Sequence, residues 1–557
     1  MKRKTPFLMA TMPLFAIATL AGCNTTPRNS TPKSVEPEES KPLEVGDTVR
    51  MWTSPEDYEN APLGLAEGSG TVAISEDDGY DDYYSLSYTL TKEGYIGSDL
   101  IEEPYFKDED AKNGDIISLY YYLPANSNIK TIQLEALPWN SRASSVLGEA
   151  VTVTSSVEGE WNQMEMTYDT LEMLGSLRLN YTLTDSTKEG KILLDDIEIT
   201  YGEETVKTKY EYDDESLYQT YEDYFKLGTC MSDTMVRNSE IRKITIDNFN
   251  SITAENEGKP ERILDQEACQ ALLSSDPAGV AITTKPFERI YDWAAENGIG
   301  VRHHTFVWYS QTPAWFFTTN YTQNGPKASR ELMLERMENY IKTTIEILNE
   351  RWPETVYAID VANEAVENGG LRTNNNNWYT TVGDDFVYYA FKYASEIKEE
   401  LEMDVELYYN DFAFDYQPNL CQWAINNILK DAIAENLIDG VGIQTHLDSG
   451  ANMDNIINDA KYIKQAGLKC QLTEIDITTN GTSQNEYDKQ SDAYKTLIKK
   501  VLENNSLRQT DINAVILWGV TDNLSWKRNQ YPLLFTEEYE KKPCYTGFLQ
   551  ALSEANI

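Results

Sequence analysis

The sequence predicts a multidomain chain: a β-sandwich followed by an α/β TIM (β/α)8 barrel. Three observations carry this prediction. Residues 47–205 are built from short alternating runs separated by Gly, Asn, Asp and Ser, with no long helical pattern. From residue 219 onward, β-like apolar runs alternate with amphipathic helical stretches, eight times in about 340 residues. Finally, seven of those eight runs end in polar residues that a barrel does not need for stability. A chain of 557 residues is too long for one typical domain. Its 41% apolar and 25% charged residues are globular proportions.

The chain opens with Lys2, Arg3 and Lys4, an apolar stretch from Phe7 to Leu20, and then Leu20-Ala21-Gly22-Cys23. A basic start, a short apolar core and small residues at the cut describe an export signal over residues 1–22. The Leu-Ala-Gly-Cys ending resembles a bacterial lipoprotein box, which implies lipidation at Cys23 and anchoring at the cell surface. An ordinary secretory signal is the alternative. Residues 23–46, rich in Thr, Pro, Ser, Glu and Lys, have nothing to bury and read as a flexible tether.

Within 47–205 the clearest strands are Ile116–Leu123, Thr131–Ala136, Gly175–Tyr181 and Ile192–Ile199. Trp139, Trp161 and the Tyr120–Tyr122 run could stack on a ligand, although Trp161 reads better as core. The acidic stretch Asp77-Asp78-Gly79-Tyr80-Asp81-Asp82 could offer hard oxygens to a structural calcium, or could be a solvated loop. A charged connector follows over 206–218. The catalytic-looking region is 219–557. Its strands are expected at Tyr224–Met231, Phe249–Asn256, Gly300–Trp308, Val356–Glu364, Val405–Asp411, Gly440–His446, Cys470–Ile477 and Ala514–Asp522. Helices are expected at Arg330–Glu350, Asp385–Glu402, Asn419–Glu435 and Glu486–Asn504.

The net charge of −44 argues against nucleic acid and anionic membrane surfaces as partners. A neutral sugar polymer suits it better, as do 36 Tyr and 11 Trp, though most of these will be core. Cys230, Cys269, Cys421, Cys470 and Cys544 show no CxxC spacing and read as buried thiols, with a disulfide or two left open. Only three histidines occur. His303 and His304 are adjacent on a strand and face opposite sides, so no chelating pair and no metal site is expected.

Glu364 and Glu474 each end a β-like apolar run, where packing alone gives no reason for a carboxylate. In a barrel, such strand ends meet at one rim. Two carboxylates on one rim are the equipment for cleaving a glycosidic bond. Glu474 and Asp476, two apart on a strand, point to the same side.

An ordered set of motifs makes this reading specific. Thr253-Ala254-Glu255-Asn256-Glu257-Gly258-Lys259 is followed by His304-Thr305-Phe306-Val307-Trp308-Tyr309-Ser310-Gln311-Thr312-Pro313 and by Asp360-Val361-Ala362-Asn363-Glu364-Ala365. Then come Leu407-Tyr408-Tyr409-Asn410-Asp411, Gly442-Ile443-Gln444-Thr445-His446-Leu447, Leu472-Thr473-Glu474-Ile475-Asp476, Trp518-Gly519-Val520-Thr521-Asp522, Ser525-Trp526 and Pro532-Leu533-Leu534-Phe535. This set resembles glycoside hydrolase family 10, the endo-β-1,4-xylanases.

The resemblance implies a retaining enzyme with Glu364 as general acid/base and Glu474 as nucleophile. His446 would bond Glu474 and be oriented by Asp476. Glu255, Asn256, Lys259, His304, Trp308 and Gln311 would hydrogen-bond sugars on the non-reducing side. Asn363 would contact the 2-hydroxyl, Gln444 would bind substrate, and Trp518 and Trp526 would pack over the ring at the cleavage point. Xylan and xylo-oligosaccharides are the implied partners, with no cofactor and a monomeric chain. Two positions depart from the family pattern: His303 stands where Gly is usual, and Tyr309 where His is frequent. The segment Glu160–Glu165 and the closing run Leu194–Ile199 resemble xylan-binding modules of family 22. A non-catalytic glycan-binding lipoprotein and a β-glucanase of the same fold are the competing readings.

Overall fold

The computed structural model describes residues 45–557, except 47, 53–62, 67, 77–78, 81–83, 101–110, 112, 139–144, 204–209, 211–215 and 418. The export signal, Cys23, nearly all of the tether, Trp139, Asp77, Asp78, Asp81, Asp82 and most of the connector therefore lie outside the described residues.

The N-terminal part is two antiparallel sheets. One runs Gly70–Glu76, Tyr84–Leu90, Gly190–Thr200, Ile116–Tyr122, Trp161–Thr167, with Thr48–Trp52 also paired to Gly190–Thr200. The other runs Gly64–Leu65, Gly94–Gly97, Leu174–Leu183, Ile129–Pro138, Val146–Thr152. Alternate residues, such as Leu177, Leu179 and Tyr181 against Ile132 and Leu134, fill the space between the sheets. This is how alternating strands make a sandwich core.

Trp161 does not join that core. It is half-buried at the start of an edge strand, beside Tyr80 and Tyr122 at ring distances of 6.1 and 5.7 Å. Tyr80 in turn stacks on Tyr120 at 3.9 Å. The core reading of Trp161 is thus corrected. Tyr120 and Tyr122 alternate with buried Tyr121, so only Tyr121 points inward.

The barrel closes as expected. Its strands are β1 (Lys226–Met231), β2 (Ser251–Ala254), β3 (Gly300–Trp308), β4 (Val356–Asn363), β5 (Glu406–Asp411), β6 (Gly440–Ile443), β7 (Lys469–Thr478) and β8 (Ile512–Leu517). Neighbours pair in parallel in that order, and β8 pairs with β1. A short extra strand, His446–Asp448, continues beside the upper end of β7. The strands are buried on both faces, which is why they read in the sequence as near-continuous apolar runs.

Register slips occur in β3, β4, β5, β7 and β8, several close to the rim. Such slips re-aim side chains next to a site. One helix expectation is corrected: Asn419–Glu435 is two helices, Leu420–Asn426 and Lys430–Ala434. The break falls at Asn427, whose side-chain amide donates to the Trp423 carbonyl at 2.7 Å. Asn side chains that bond local backbone in this way compete with helix continuation.

The sandwich is joined to the barrel by more than the chain. Met173 N donates to Arg237 O and Ser239 N to Leu171 O, both at 3.0 Å. All five described cysteines are free and buried. No helix among the described residues is long and apolar enough to cross a membrane. No cluster of three or more His, Cys, Asp or Glu among them could hold a metal ion.

Candidate active site

The C-terminal ends of the strands open into a cleft of about 510 Å³. It is lined by Glu255, Asn256, Lys259, His304, Trp308, Gln311, Asn363, Glu364, Gln444, His446, Glu474, Trp518 and Trp526. Thirteen of the residues expected from the sequence therefore meet in one place. Asp476 is fully buried just beneath them.

The floor begins with a buried ion pair. Arg302 on β3 makes a two-pronged bond to Asp360 on β4, and its Nε donates to Gln471 at 2.9 Å. All three are completely buried. A charge survives there only if paired and fully hydrogen-bonded. Asp360 also meets His304 Nδ1 at 2.8 Å, which fixes the ring that faces the cleft. His303, the next residue along, faces the helices instead. Its ring packs against Phe287 and Phe306, and its Nδ1 meets the Tyr291 hydroxyl at 2.8 Å. Burial, with the neighbouring His304, pushes its pKa down to about 3, so it stays neutral. The unusual histidine thus packs the outer wall and does not enter the cleft.

Glu474 rises from β7 into a strongly cationic setting. His446 Nε2 lies 3.3 Å from one carboxylate oxygen, and Asn410 Nδ2 donates to the other at 2.8 Å. Burial pushes the Glu474 pKa up, but the His446 bond and the charges of His304, His446 and Lys259 outweigh it and hold the carboxylate below its ordinary range. Burial alone would lower the His446 pKa. Asp476 and Glu474 instead raise it, so the ring is held protonated. His446 Nδ1 meets Asp476 at 2.8 Å, and Asp476 also accepts from Trp526 Nε1 at 2.9 Å and Lys527 Nζ at 2.7 Å. Asp415 accepts from the backbone N–H groups of Thr445 and His446 at 2.7 and 2.9 Å, fixing the backbone below the ring.

Glu364 has a different environment. Its carboxylate accepts one bond from Trp308 Nε1 and one from Gln444 Nε2, both at 2.9 Å. Among the described residues, no cationic side chain bonds that carboxylate. The backbone has left the strand with φ +52°. That turn lets adjacent Asn363 and Glu364 both face the cleft, which plain alternation along a strand would forbid.

Lys259 donates to Asn256 Oδ1 at 3.0 Å and lies 5.0 Å from the Trp308 ring centre. Burial, helped by Glu257 and opposed by Lys259, raises the Glu255 pKa to about 7. Trp518 forms a wall that is 6% exposed, whereas Trp526 is 59% exposed and overhangs the opening.

Phe412, Tyr416 and Lys527 also line the cleft and were not singled out from the sequence. Tyr416 is exposed, with its hydroxyl bonded to the His446 carbonyl. Tyr416 ends the four-residue helix Ala413–Tyr416, Phe412 and Lys527 lie in a bend and a turn, and none of the three carries a periodic signal. The adjacency of Phe412 to the strand-ending Asn410-Asp411 was the only available hint.

The arrangement sets two carboxyl groups of opposite character across one open groove. One is ionised and pinned by a protonated imidazole. The other is held by neutral donors. Aromatic side chains and hydrogen-bonding groups flank both, as a polyhydroxylated chain requires.

Comparison with known proteins agrees with that chemistry. Residues 216–551 match the model of glycosyl hydrolase family 10. The chain is 38% identical over 339 residues to the bifunctional endo-1,4-beta-xylanase XylA of Ruminococcus flavefaciens, covering 59% of this chain and 33% of that protein. It is 31% identical over 432 residues to endo-1,4-beta-xylanase Y of Acetivibrio thermocellus, covering 73% and 38%. The chain therefore spans only 33% and 38% of these relatives' own length. A crystal structure of the CBM22-1-GH10 modules of Clostridium thermocellum xylanase 10B complexed with xylohexaose superposes with a TM-score of 0.59 at 26% identity. It covers 89% of this chain and 96% of that one. With a family model matched across the whole barrel, this chain belongs to glycosyl hydrolase family 10.

Proposed function

We propose that the protein is a retaining endo-β-1,4-xylanase. Glu474 attacks the anomeric carbon. Glu364 protonates the departing oxygen and then, as a base, activates the water that releases the glycosyl-enzyme. The observation that carries this reading is the contrast between the two carboxylates. A retaining mechanism needs one ionised nucleophile and one group that can give and take a proton. Glu474 has the cationic partners that keep it ionised. Glu364 is bonded by Trp308 and Gln444, neither of which has a charge to lose. Asp476 orients His446 and, through it, Glu474.

The xylan preference rests on the two curated relatives, both named xylanases, and on the solved neighbour that holds xylohexaose. We read the sandwich as a sugar-binding module on the same neighbour's CBM22 domain, and the chain as lipid-anchored through Cys23 on its Leu-Ala-Gly-Cys sequence. A product profile tests the activity. Short xylo-oligosaccharides should accumulate from xylan and arabinoxylan, with little release from mixed-linkage glucan or cellulose. Equal or greater release from glucans would contradict the xylan assignment.

A further inference from the structure

Arg372 stands outside the cleft, just beyond the hairpin formed by Val366–Glu367 and Gly370–Leu371. Its Nε donates to the Glu364 carbonyl at 2.9 Å, and its backbone N–H to the Ala365 carbonyl at 2.7 Å. Its guanidinium also bonds the Val366 carbonyl and the Glu367 carboxylate. The guanidinium carbon lies 4.0 Å from the ring centre of Tyr309. Tyr309 directly follows Trp308, whose indole N–H holds the Glu364 carboxylate. One buried cation therefore grips the backbone of Glu364 and also packs on the neighbour of the residue that grips its carboxylate. Neither Arg372 nor Tyr309 lines the cleft.

Glu364 needs such a grip. A φ of +52° is unfavourable for a residue with a side chain and persists only where the surroundings impose it. The Glu364 N–H donates to Asn410 O at 2.8 Å and the Ala365 N–H to the Tyr409 hydroxyl at 2.9 Å, which fixes the amide side. Among the described side chains, Arg372 is the donor to the Glu364 carbonyl. A planar guanidinium can donate in its plane and stack on a ring with its face, which an ammonium cannot do.

We propose that Arg372 and Tyr309 form a positioning pair that sets the angle at which Glu364 presents its carboxyl to the leaving-group oxygen. The inference rests on Glu364 acting as the acid/base. Its signature is dependence on the leaving group, because a leaving group that departs unprotonated needs no acid.

The test compares full-length wild type, Arg372→Met, Arg372→Lys and Tyr309→Phe on xylotetraose and on 2,4-dinitrophenyl β-xylobioside. Arg372→Met should lower kcat/KM on xylotetraose by about 10- to 100-fold, part of what a general acid supplies. On the dinitrophenyl substrate its kcat/KM should change by less than about threefold, while kcat and KM fall together as the base-assisted second step slows. Arg372→Lys should resemble Arg372→Met, and Tyr309→Phe, which keeps the ring face, should resemble wild type. Equal loss on both substrates, or full activity in Arg372→Lys, would overturn the proposal. A wild type that turns over neither substrate would overturn it together with the hydrolase reading.

Discussion

Glu474 and Glu255 share one cleft, yet their surroundings move them in opposite directions. Glu474 is held ionised below its ordinary range, so its contribution to stability is present at neutral pH and lost as pH falls through the acidic range. Glu255 is the reverse case, with a pKa raised to about 7 by burial first and Glu257 second. In the unfolded chain it ionises near 4.5, so between 4.5 and 7 the folded state holds a proton that the unfolded state has lost. Stability from this residue therefore declines as pH rises through that window. Glu255→Gln has no such proton to lose. Its melting temperature relative to wild type should rise from pH 4.5 to pH 7 and then level off. A difference that stays flat across thermal melts in that range would contradict the raised pKa. At this scale the sequence was most informative where a polar residue ended an apolar run, as at Glu364, Glu474 and His304. It was silent on Lys527, which reaches the cleft from a turn, on Tyr416, which ends a four-residue helix, and on Arg372, which acts from beyond a hairpin.

The elements place these residues with little help from intrinsic propensity. Parallel strands buried on both faces announce themselves as apolar runs, so all eight barrel strands were legible to within a few residues. Register slips in β3, β4 and β7 were not, because they arise from pairing between strands distant in sequence. The Asn427 break was equally hidden, since the apolar spacing on either side continues the helical pattern. The barrel's first helix, Leu217–Tyr221, starts inside what had read as connector. It is fixed by a capping box, with the Ser216 side chain accepting from Gln219 N and the Gln219 side chain from Ser216 N. Ser216→Ala should therefore cost about 1 kcal/mol. A lower denaturation midpoint with unchanged slope and unchanged turnover would report it. An unchanged midpoint would mean that this helix is held by packing alone.

At the scale of the whole molecule, the sandwich and barrel meet through backbone hydrogen bonds, not only through a linker. Arg242 of the barrel also reaches Met173 Sδ of the sandwich at 3.2 Å. A barrel expressed from residue 210 onward should keep its turnover of short xylo-oligosaccharides, since every cleft residue is its own. It should melt about 1.5–3 °C lower, the shift that about 1–2 kcal/mol of lost junction contacts gives a domain of this size. On insoluble xylan it should also slow, because a second sugar site on one chain raises the effective concentration of polymer at the cleft. An isolated sandwich that is not retarded in xylan-containing affinity gels would contradict the binding-module reading. If Cys23 carries the anchor, the Cys23→Ala protein should leave the membrane fraction. Its continued presence there would contradict lipid anchoring.

The central claim is that Glu474 and Glu364 work on opposite faces of the sugar, and azide rescue tests it most directly. Each carboxylate is replaced by Ala, activity on an activated aryl xyloside is restored with azide, and the anomeric configuration of the glycosyl azide is read by NMR. Glu474→Ala should give the inverted α-azide, because azide takes the nucleophile's place. Glu364→Ala should give the retained β-azide, because azide then intercepts the glycosyl-enzyme. The same configuration from both variants would contradict the assignment.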